Sequence, residues 1–261
     1  MSVVEQAAER LWTAGRSMIP CDPVRGILLD QDDRVAYSVQ QRNVDRLVAE
    51  HGWHVSGRKI GLTSDAVQRQ LGVDRPDFGT LFTELGHPDG ATIPAGVLLQ
   101  PRVEAEVAFV LGSDLTAADH TAADVAAAVD HIVAALEVTD SRVANWDISF
   151  LDTVADNASL GRYVLGRRSH RIDDVDLPGI EMTLTVNGQP RSAGRGADCL
   201  GSPLLAAVWL ADTMSALGTP LRRGDIVLTG ALGAMVPVGP GDSVHATLSG
   251  LGTVSTRFAP G

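Results

Sequence analysis

The chain of 261 residues can hold one large domain or a main domain with a small appendage, and its apolar fraction of 44% allows a sizeable core. A net charge of -11 argues against nucleic acid and anionic membrane surfaces as partners, because both are bound through basic residues. Two cysteines without metal-site spacing (Cys21 and Cys199), no signal-peptide apolar block and no run of transmembrane length favour a soluble cytoplasmic protein with reduced thiols.

The N-terminal part of the chain is predicted to be helical. Residues 3–16 and about 36–51 show helical spacing of apolar residues, and Gly52 is a suitable C-terminal stop for the second helix. We therefore expect residues 1–55 to form a helical N-terminal region that packs on a catalytic domain of residues 56–261.

Farther along, short apolar runs alternate with Gly and Pro, which is typical of a β-rich fold with long loops. Residues 102–111 alternate clearly. Apolar side chains such as Val103 and Val107 share one face of the predicted strand, and Glu104 and Glu106 share the other.

A helix is predicted after this strand. Thr121 and Asp124 resemble a capping box at its start. The helix is expected to continue through an apolar stripe formed by Val125, Val129, Ile132, Val133 and Leu136.

Residues typical of turns and helix caps mark the boundaries of the predicted elements in the rest of the chain. Asn187 and Gly188 predict a type I′ hairpin over residues 181–192. A helix is predicted between the cap signals Ser202, Pro203 and Gly218. Short strands are predicted at about 225–230, 243–249 and 252–258. This mixed order predicts an α+β fold with a rolled or barrel-like sheet and surrounding helices.

Glu104 and Glu106 are the first candidates for chemistry. Side chains two apart on a strand point the same way and lie about 7 Å apart, so two buried glutamates would repel each other unless a cation compensates. Glu137 adds a third carboxylate in an apolar context. Oxygen-only ligation suits Mg²⁺ or Mn²⁺. The alternative is a solvated strand face with ordinary surface glutamates.

Charged residues follow Glu137 closely, and most of them are expected to lie on the surface. They are Asp140, Arg142, Asp147, Asp152 and Asp156.

Lys59 is the only lysine among the 21 basic residues. A composition that replaces surface lysine with arginine would retain lysine where a compact ammonium with an adjustable pKa is needed, since arginine supplies neither property. The alternative is chance survival of one lysine. No phosphate-binding loop, zinc-binding H-E-x-x-H, helix-opening Gly-rich motif or G-x-S-x-G turn is present.

Eight segments together resemble the 2-keto-4-pentenoate hydratase family of the fumarylacetoacetate hydrolase-like superfamily. They are residues 57–63 (GRKIGLT), 70–73 (QLGV), 76–82 (PDFGTLF), 100–106 (QPRVEAE), 135–138 (ALEV), 152–159 (DTVADNAS), 194–196 (GRG) and 224–233 (GDIVLTGALG). The resemblance runs from about residue 35 to the C-terminus and implies a mixed β-roll core.

The resemblance implies a residue set for the site. Glu104, Glu106 and Glu137 would bind Mg²⁺ or Mn²⁺. Lys59 and Asp77 would act in catalysis, Lys59 also in substrate binding, with Ser159 as a further catalytic candidate and Thr229 as a further substrate-binding candidate. The hydrolase branch uses a glutamate–histidine pair to activate water, and no histidine here is placed for that role, which argues against C–C bond hydrolysis.

The implied reaction adds water to 2-hydroxypenta-2,4-dienoate, the enol form of 2-oxopent-4-enoate, to give 4-hydroxy-2-oxopentanoate in aromatic meta-cleavage catabolism. The resemblance also implies a homo-oligomer, with a pathway aldolase or decarboxylase as a possible partner. The alternatives are a 2-oxohex-3-enedioate (4-oxalocrotonate) decarboxylase or a non-catalytic partner subunit of such an enzyme. A second substrate carboxylate would favour an extra arginine, for which Arg75, Arg142 and Arg162 are available.

Overall fold

The structure is a computed structural model that describes residues 1–261 except 29–31, 65–67, 69–72 and 74. The helices of the described residues are α1 (Val3–Ser17), α2 (Asp33–His51), α3 (Ala122–Ala128), α4 (Phe150–Ala155) and α5 (Pro203–Ala216). The first seven strands are β1 (Val55–Gly61), β2 (Asp77–Phe82), β3 (Gly86–Pro88), β4 (Thr92–Ile93), β5 (Pro101–Leu111), β6 (Val129–Asp140) and β7 (Leu160–Leu165). The remaining strands are β8 (Glu181–Val186), β9 (Gln189–Arg195), β10 (Ile226–Ala231), β11 (Val236–Pro237), β12 (Ser243–Leu248) and β13 (Gly252–Phe258).

Two sheets form the body of the protein. The main sheet has the order β2-β1-β10-β5-β6-β7-β3, with β11 also paired to β5, and it mixes parallel and antiparallel neighbours. The second sheet has the order β4-β13-β12-β8-β9. This architecture confirms the predicted α+β class.

The long antiparallel pair β5–β6 lies at the centre of the main sheet and is buried on both faces. Odd-numbered residues of β5, such as Val107 and Phe109, join the largest apolar core, which also contains residues of the second sheet and of α5. Even-numbered residues face the other way, where Ala108 packs in a smaller apolar cluster with α2. The two faces of one strand therefore line different environments.

The N-terminal helices lie where the sequence predicts them, except that α2 begins at Asp33, before the predicted start near residue 36. A capping box between Ser2 and Glu5 starts α1, and Gly52 ends α2 in a left-handed conformation with φ 68°. Ala7 and Leu11 of α1 share an apolar cluster with Val154 of α4. The two helices thus pack against the main body, and the division of the chain at residue 55 stays a proposal.

The predicted helix after β5 is correct at its start and wrong at its end. Thr121 and Asp124 form the capping box of α3, but the helix stops at Ala128, and residues from Val129 onward form β6. A strand buried on both faces reads as a continuous apolar run, which periodicity alone does not separate from a buried helix.

The boundaries of the later helices and strands lie at the turn and cap residues identified in the sequence. Asn187 and Gly188 have φ values of 53° and 75°, as a type I′ turn requires, and they join β8 to β9. Ser202 caps α5, Pro203 is its first residue, and Gly218 follows it with φ 74°.

One stretch departs from the expectation that no run reaches transmembrane length. Gly196–Ala216 is long and apolar enough to cross a membrane by length and composition alone. Its helical part, α5, buries Leu210 and Met214 in the main core, as the core helix of a globular domain does.

Candidate active site

Three glutamates meet on the even-numbered face of the central strand pair. Strand alternation places Glu104 and Glu106 on the same face of β5, and the β5–β6 register sets Glu137 directly opposite Glu104. One carboxylate oxygen from each residue lies within 4.8 Å of the other two. The predicted triad therefore exists as a cluster, although Glu137 reaches it from a strand and not from a helix end.

The triad is buried, which raises the pKa of each member. Burial and the neighbouring Glu137 raise the pKa of Glu104 to about 8. Burial and repulsion by Glu137 and Glu104 raise the pKa of Glu106 well above its usual range. Burial also raises the pKa of Glu137, against the opposing effect of Lys59. The cluster would therefore gain from a cation held among its oxygens.

The hydrogen bonds of the triad leave ligand positions open. Glu106 accepts one hydrogen bond at Oε2 from the Gly230 backbone N–H at 2.8 Å. Within the part of the chain that the structure describes, Glu106 Oε1 and Glu137 Oε2 accept none although both are buried. Carboxylate oxygens without donors are the ligands that Mg²⁺ and similar hard cations prefer, so the residues present fit a divalent metal.

Lys59 supplies the positive charge beside the triad. Its ammonium Nζ lies 3.0 Å from Glu137 Oε1 and donates a hydrogen bond to the Ala158 carbonyl at 2.7 Å. Burial by itself lowers the pKa of Lys59, but the carboxylates of Glu137, Asp77 and Glu104 outweigh it, so the net shift is upward. The ammonium is therefore charged in the metal-free site.

Asp77 lies beside Lys59 on the edge strand β2, where it pairs with Gly61 of β1. Its Oδ2 accepts a hydrogen bond from the Thr153 hydroxyl at 3.3 Å. Burial raises the pKa of Asp77, and Lys59 opposes the rise. A side chain at Gly61 would collide with Asp77 Oδ1, so glycine at this position leaves room for the carboxylate.

Residues 157–159, called here the left-handed turn, carry the carbonyl that holds Lys59. Asn157, Ala158 and Ser159 have φ values of 56°, 50° and 53°. The Asn157 amide accepts from the Thr80 N–H at 2.7 Å and donates to the Thr80 carbonyl at 3.0 Å, which fixes the turn to the free edge of β2. Three consecutive non-glycine residues in this region cost conformational energy, and such strain is typical of functional sites.

Ser159 and Thr229 are buried and already hydrogen bonded. The Ser159 hydroxyl donates to Asp156 Oδ2 at 3.3 Å, and the Thr229 hydroxyl donates to the Val107 carbonyl at 2.8 Å. Their predicted roles in catalysis and substrate binding stay predictions. In the 70–73 motif, residues 70–72 lie outside the described residues.

The expectation that the charged residues after Glu137 lie mostly on the surface is wrong for three of the aspartates. Asp140, Asp152 and Asp156 are buried, whereas Asp147 is exposed. Each buried carboxylate has donors that compensate for its loss of hydration. Asp140 accepts from the Leu99 and Gln100 backbone, Asp152 binds Arg25 at 2.7 Å, and Asp156 binds Arg142 at 2.6 Å.

The sequence interpretation also missed the residues that position Lys59. Neither Asn157 nor Gly79 was a candidate, yet a Cβ at Gly79 would lie 2.6 Å from the Asn157 carbonyl oxygen. Only a glycine on β2 lets the left-handed turn approach this closely. The F-G-T spacing of residues 78–80 was the available signal, but spacing does not reveal a contact with a segment about 80 residues away.

Comparison with known proteins gives relatives over nearly the whole chain. The family described as "Fumarylacetoacetate (FAA) hydrolase C-terminal" matches residues 63–259. A 2-keto-4-pentenoate hydratase from Burkholderia vietnamiensis is 52% identical over 98% of this chain and 97% of its own. A protein of Pseudomonas putida named TodF product hydratase is 48% identical over 98% of this chain and 95% of its own.

A solved structure has the same fold. The 4-oxalocrotonate decarboxylase from Pseudomonas putida G7, complexed with magnesium and adipate, superposes with a TM-score of 0.90 at 33% identity, covering 97% of both chains. The roll-type core predicted from the resemblance is thereby confirmed.

Proposed function

The chain belongs to the 2-keto-4-pentenoate hydratase family within the fumarylacetoacetate hydrolase superfamily, and we propose on that basis that it hydrates 2-hydroxypenta-2,4-dienoate to 4-hydroxy-2-oxopentanoate in aromatic meta-cleavage catabolism. The observation that carries the proposal is the buried glutamate cluster beside the only lysine, in a chain about half identical to such hydratases over nearly its whole length.

The metal would be held by Glu104, Glu106 and Glu137, and Mg²⁺ or Mn²⁺ suits these ligands. When bound, it would act as a Lewis acid that stabilises negative charge on the 2-oxygen of the substrate. The unsatisfied oxygens of Glu106 and Glu137 support this assignment.

Two paired proton transfers remain for the side chains of this chain. In the first, the enol oxygen loses a proton and C5 gains one. In the second, the water that attacks C4 loses a proton and C3 gains one. Lys59 and Asp77 are the titratable groups next to the triad, so we assign the transfers to this pair, with Lys59 also contacting the enol oxygen or carboxylate. Ser159 is proposed to assist catalysis and Thr229 to contact substrate, both from the motif match.

A decarboxylase acting on 2-oxohex-3-enedioate is the second candidate, favoured by the fold match at a TM-score of 0.90. It is less well supported because identity to that protein is 33%, against 52% to a hydratase. A non-catalytic partner subunit is disfavoured, since selection for scaffolding alone would not maintain three costly buried carboxylates beside a buried lysine.

Three finer statements are proposals as well. We propose that the protein works in the cytoplasm as a homo-oligomer, that a pathway aldolase or decarboxylase associates with it, and that residues 1–55 form a helical region appended to the catalytic domain of residues 56–261. The shared apolar cluster of α1 and α4 supports close packing of the two parts.

The test is a product assay on the purified chain with Mg²⁺ and 2-hydroxypenta-2,4-dienoate, following loss of the dienol absorbance and the product mass. Metal-dependent loss with a mass gain of one water supports the hydratase. Absence of hydration together with CO₂ release from 2-oxohex-3-enedioate would replace it with the decarboxylase and leave the proposed metal site intact.

A further inference from the structure

Arg102 is placed at one end of the glutamate cluster. It precedes Glu104 by two residues on β5, so strand alternation puts its side chain on the face that carries the triad. Glu104 and Arg102 are close enough for each to shift the pKa of the other toward its charged form, although burial lowers the pKa of Arg102 overall. Among the described residues that line a cleft of about 470 Å³ between the segments 94–102 and 237–240, Arg102 is the only charged one.

The guanidinium of Arg102 is held in place but its donors are free. It stacks 4.3 Å over the Trp146 ring, and Trp146 is itself fixed by an indole N–H that donates to the Gln100 carbonyl at 2.9 Å. Among the described residues, Arg102 donates no hydrogen bond and pairs with no carboxylate. By contrast, Arg142 already forms an ion pair with Asp156. A stacked guanidinium with free N–H groups is preorganised to bind a planar carboxylate.

Lys59 approaches the cluster from a different strand. It extends from β1, and its ammonium reaches Glu137, which lies directly opposite Glu104. Arg102 approaches along β5, two residues before Glu104. The two cationic side chains therefore meet the Glu104–Glu137 pair from different directions.

We propose that Arg102 binds the C1 carboxylate of the substrate and so fixes its direction, with the 2-oxygen toward Lys59. This inference rests on the proposed function, whose substrate carries a single carboxylate. It makes Arg102 a specificity residue for 2-oxo acids.

The experiment compares Arg102→Met, which keeps the aliphatic stem, with Arg102→Lys and with Arg257→Met, an exposed arginine on β13 as the matched control. Inhibition constants are measured with Mg²⁺ for 2-oxopentanoate and for its uncharged amide, alongside KM, kcat, metal affinity and melting temperature. We expect Arg102→Met to weaken the binding of 2-oxopentanoate by about 10- to 100-fold and to raise the KM for the dienol substrate by the same factor. This is the change in affinity usually seen when a hydrogen bond to a charged group is lost. Binding of the amide, metal affinity and melting temperature should stay unchanged, Arg102→Lys should recover part of the loss, and Arg257→Met should equal the wild type.

Three outcomes would overturn the inference. If Arg102→Met binds the acid and the amide with equally reduced affinity, Arg102 acts through packing. If it binds both with unchanged affinity, Arg102 does not contact the substrate. Loss confined to a dicarboxylate such as adipate would place Arg102 at the substrate tail. If the wild type binds 2-oxopentanoate but performs no hydration, the proposed function fails while the binding comparison still tests Arg102.

Discussion

The two faces of strand β5 have the same backbone and opposite chemistry. Val103, Val107 and Phe109 point into the main core with 0% exposure, whereas the carboxyl groups of Glu104 and Glu106 are buried on the other face. Burial of the apolar face stabilises the fold. Burial of the carboxyl groups costs free energy, because Lys59 offsets only part of their desolvation and mutual repulsion.

The contrast teaches where stability and function separate in this molecule. The core face requires only apolar side chains of suitable total volume, so several combinations of apolar residues could fill it. The site face depends on Lys59, the left-handed turn and the Gly230 N–H, each in one position. Substitutions on the two faces should therefore change different observables.

The largest effect should come from exchanging Glu106 for Gln. We expect kcat/KM to fall by about 10³-fold or more because a proposed metal ligand is lost. The metal-free protein should melt at a higher temperature, because folding no longer buries a carboxyl group whose pKa is raised by burial and repulsion. The adjacent Val107→Ala is the matched control and should lose about 2 kcal/mol of unfolding free energy with activity near normal. Full metal-dependent activity in Glu106→Gln would contradict the triad assignment.

Lys59→Met should have the next largest effect. Removing the ammonium leaves the substrate without its proposed proton-transfer partner, so kcat is expected to fall by about 10²- to 10³-fold, measured by dienol absorbance. Arg58 occupies the next position on β1 and faces the other way, so Arg58→Met should keep turnover within a few-fold. Normal turnover by a correctly folded Lys59→Met would remove Lys59 from the mechanism.

The thermal stability of the metal-free protein should depend on pH, and this dependence tests the glutamate face of β5 without an activity assay. The pKa of Glu104 is about 8 in the folded chain, against 4.5 for an ordinary glutamate, so the folded state holds the extra proton between these values. The linked stability is present below pH 4.5 and is lost as pH rises through 8. Melting temperatures in EDTA should fall from pH 5.5 to 8.5, and the fall should be smaller in Glu104→Gln.

Added Mg²⁺ should reverse that trend, because the carboxylates must lose their protons to bind it. Metal stabilisation is expected to grow with pH over the same interval. A metal-induced rise in melting temperature that is independent of pH would contradict the raised pKa of the triad.

The smallest effect should come from the left-handed turn. Asn157→Ala removes both hydrogen bonds to Thr80 and places a residue that disfavours positive φ, so we expect kcat to fall about 10-fold with metal affinity unchanged. Asn157→Gly keeps the backbone freedom and loses only the hydrogen bonds. If both variants lose metal affinity in step with kcat, the turn supports the whole cluster and not Lys59 in particular.

Much of the fold was predictable because the signals are local. The Thr121–Asp124 capping box, Gly52, the Asn187–Gly188 turn and the alternation of β5 depend on neighbours within about five residues, and the structure agrees with each. The failure at residues 129–136 has a local origin too, because β6 lacks any polar face that would reveal a period of two. The surface expectation for Asp156 failed for the opposite reason, since its partner Arg142 lies in another segment.

By itself the sequence determined most of the helices and strands, the three glutamates, the single lysine and the family, since residue type and short spacing carry that information. Only the tertiary structure decided that Glu137 faces Glu104, that the Ala158 carbonyl holds Lys59 and that Arg102 stacks on Trp146. These relations join segments tens of residues apart, and strand register, burial and backbone conformation arise from packing of the whole chain.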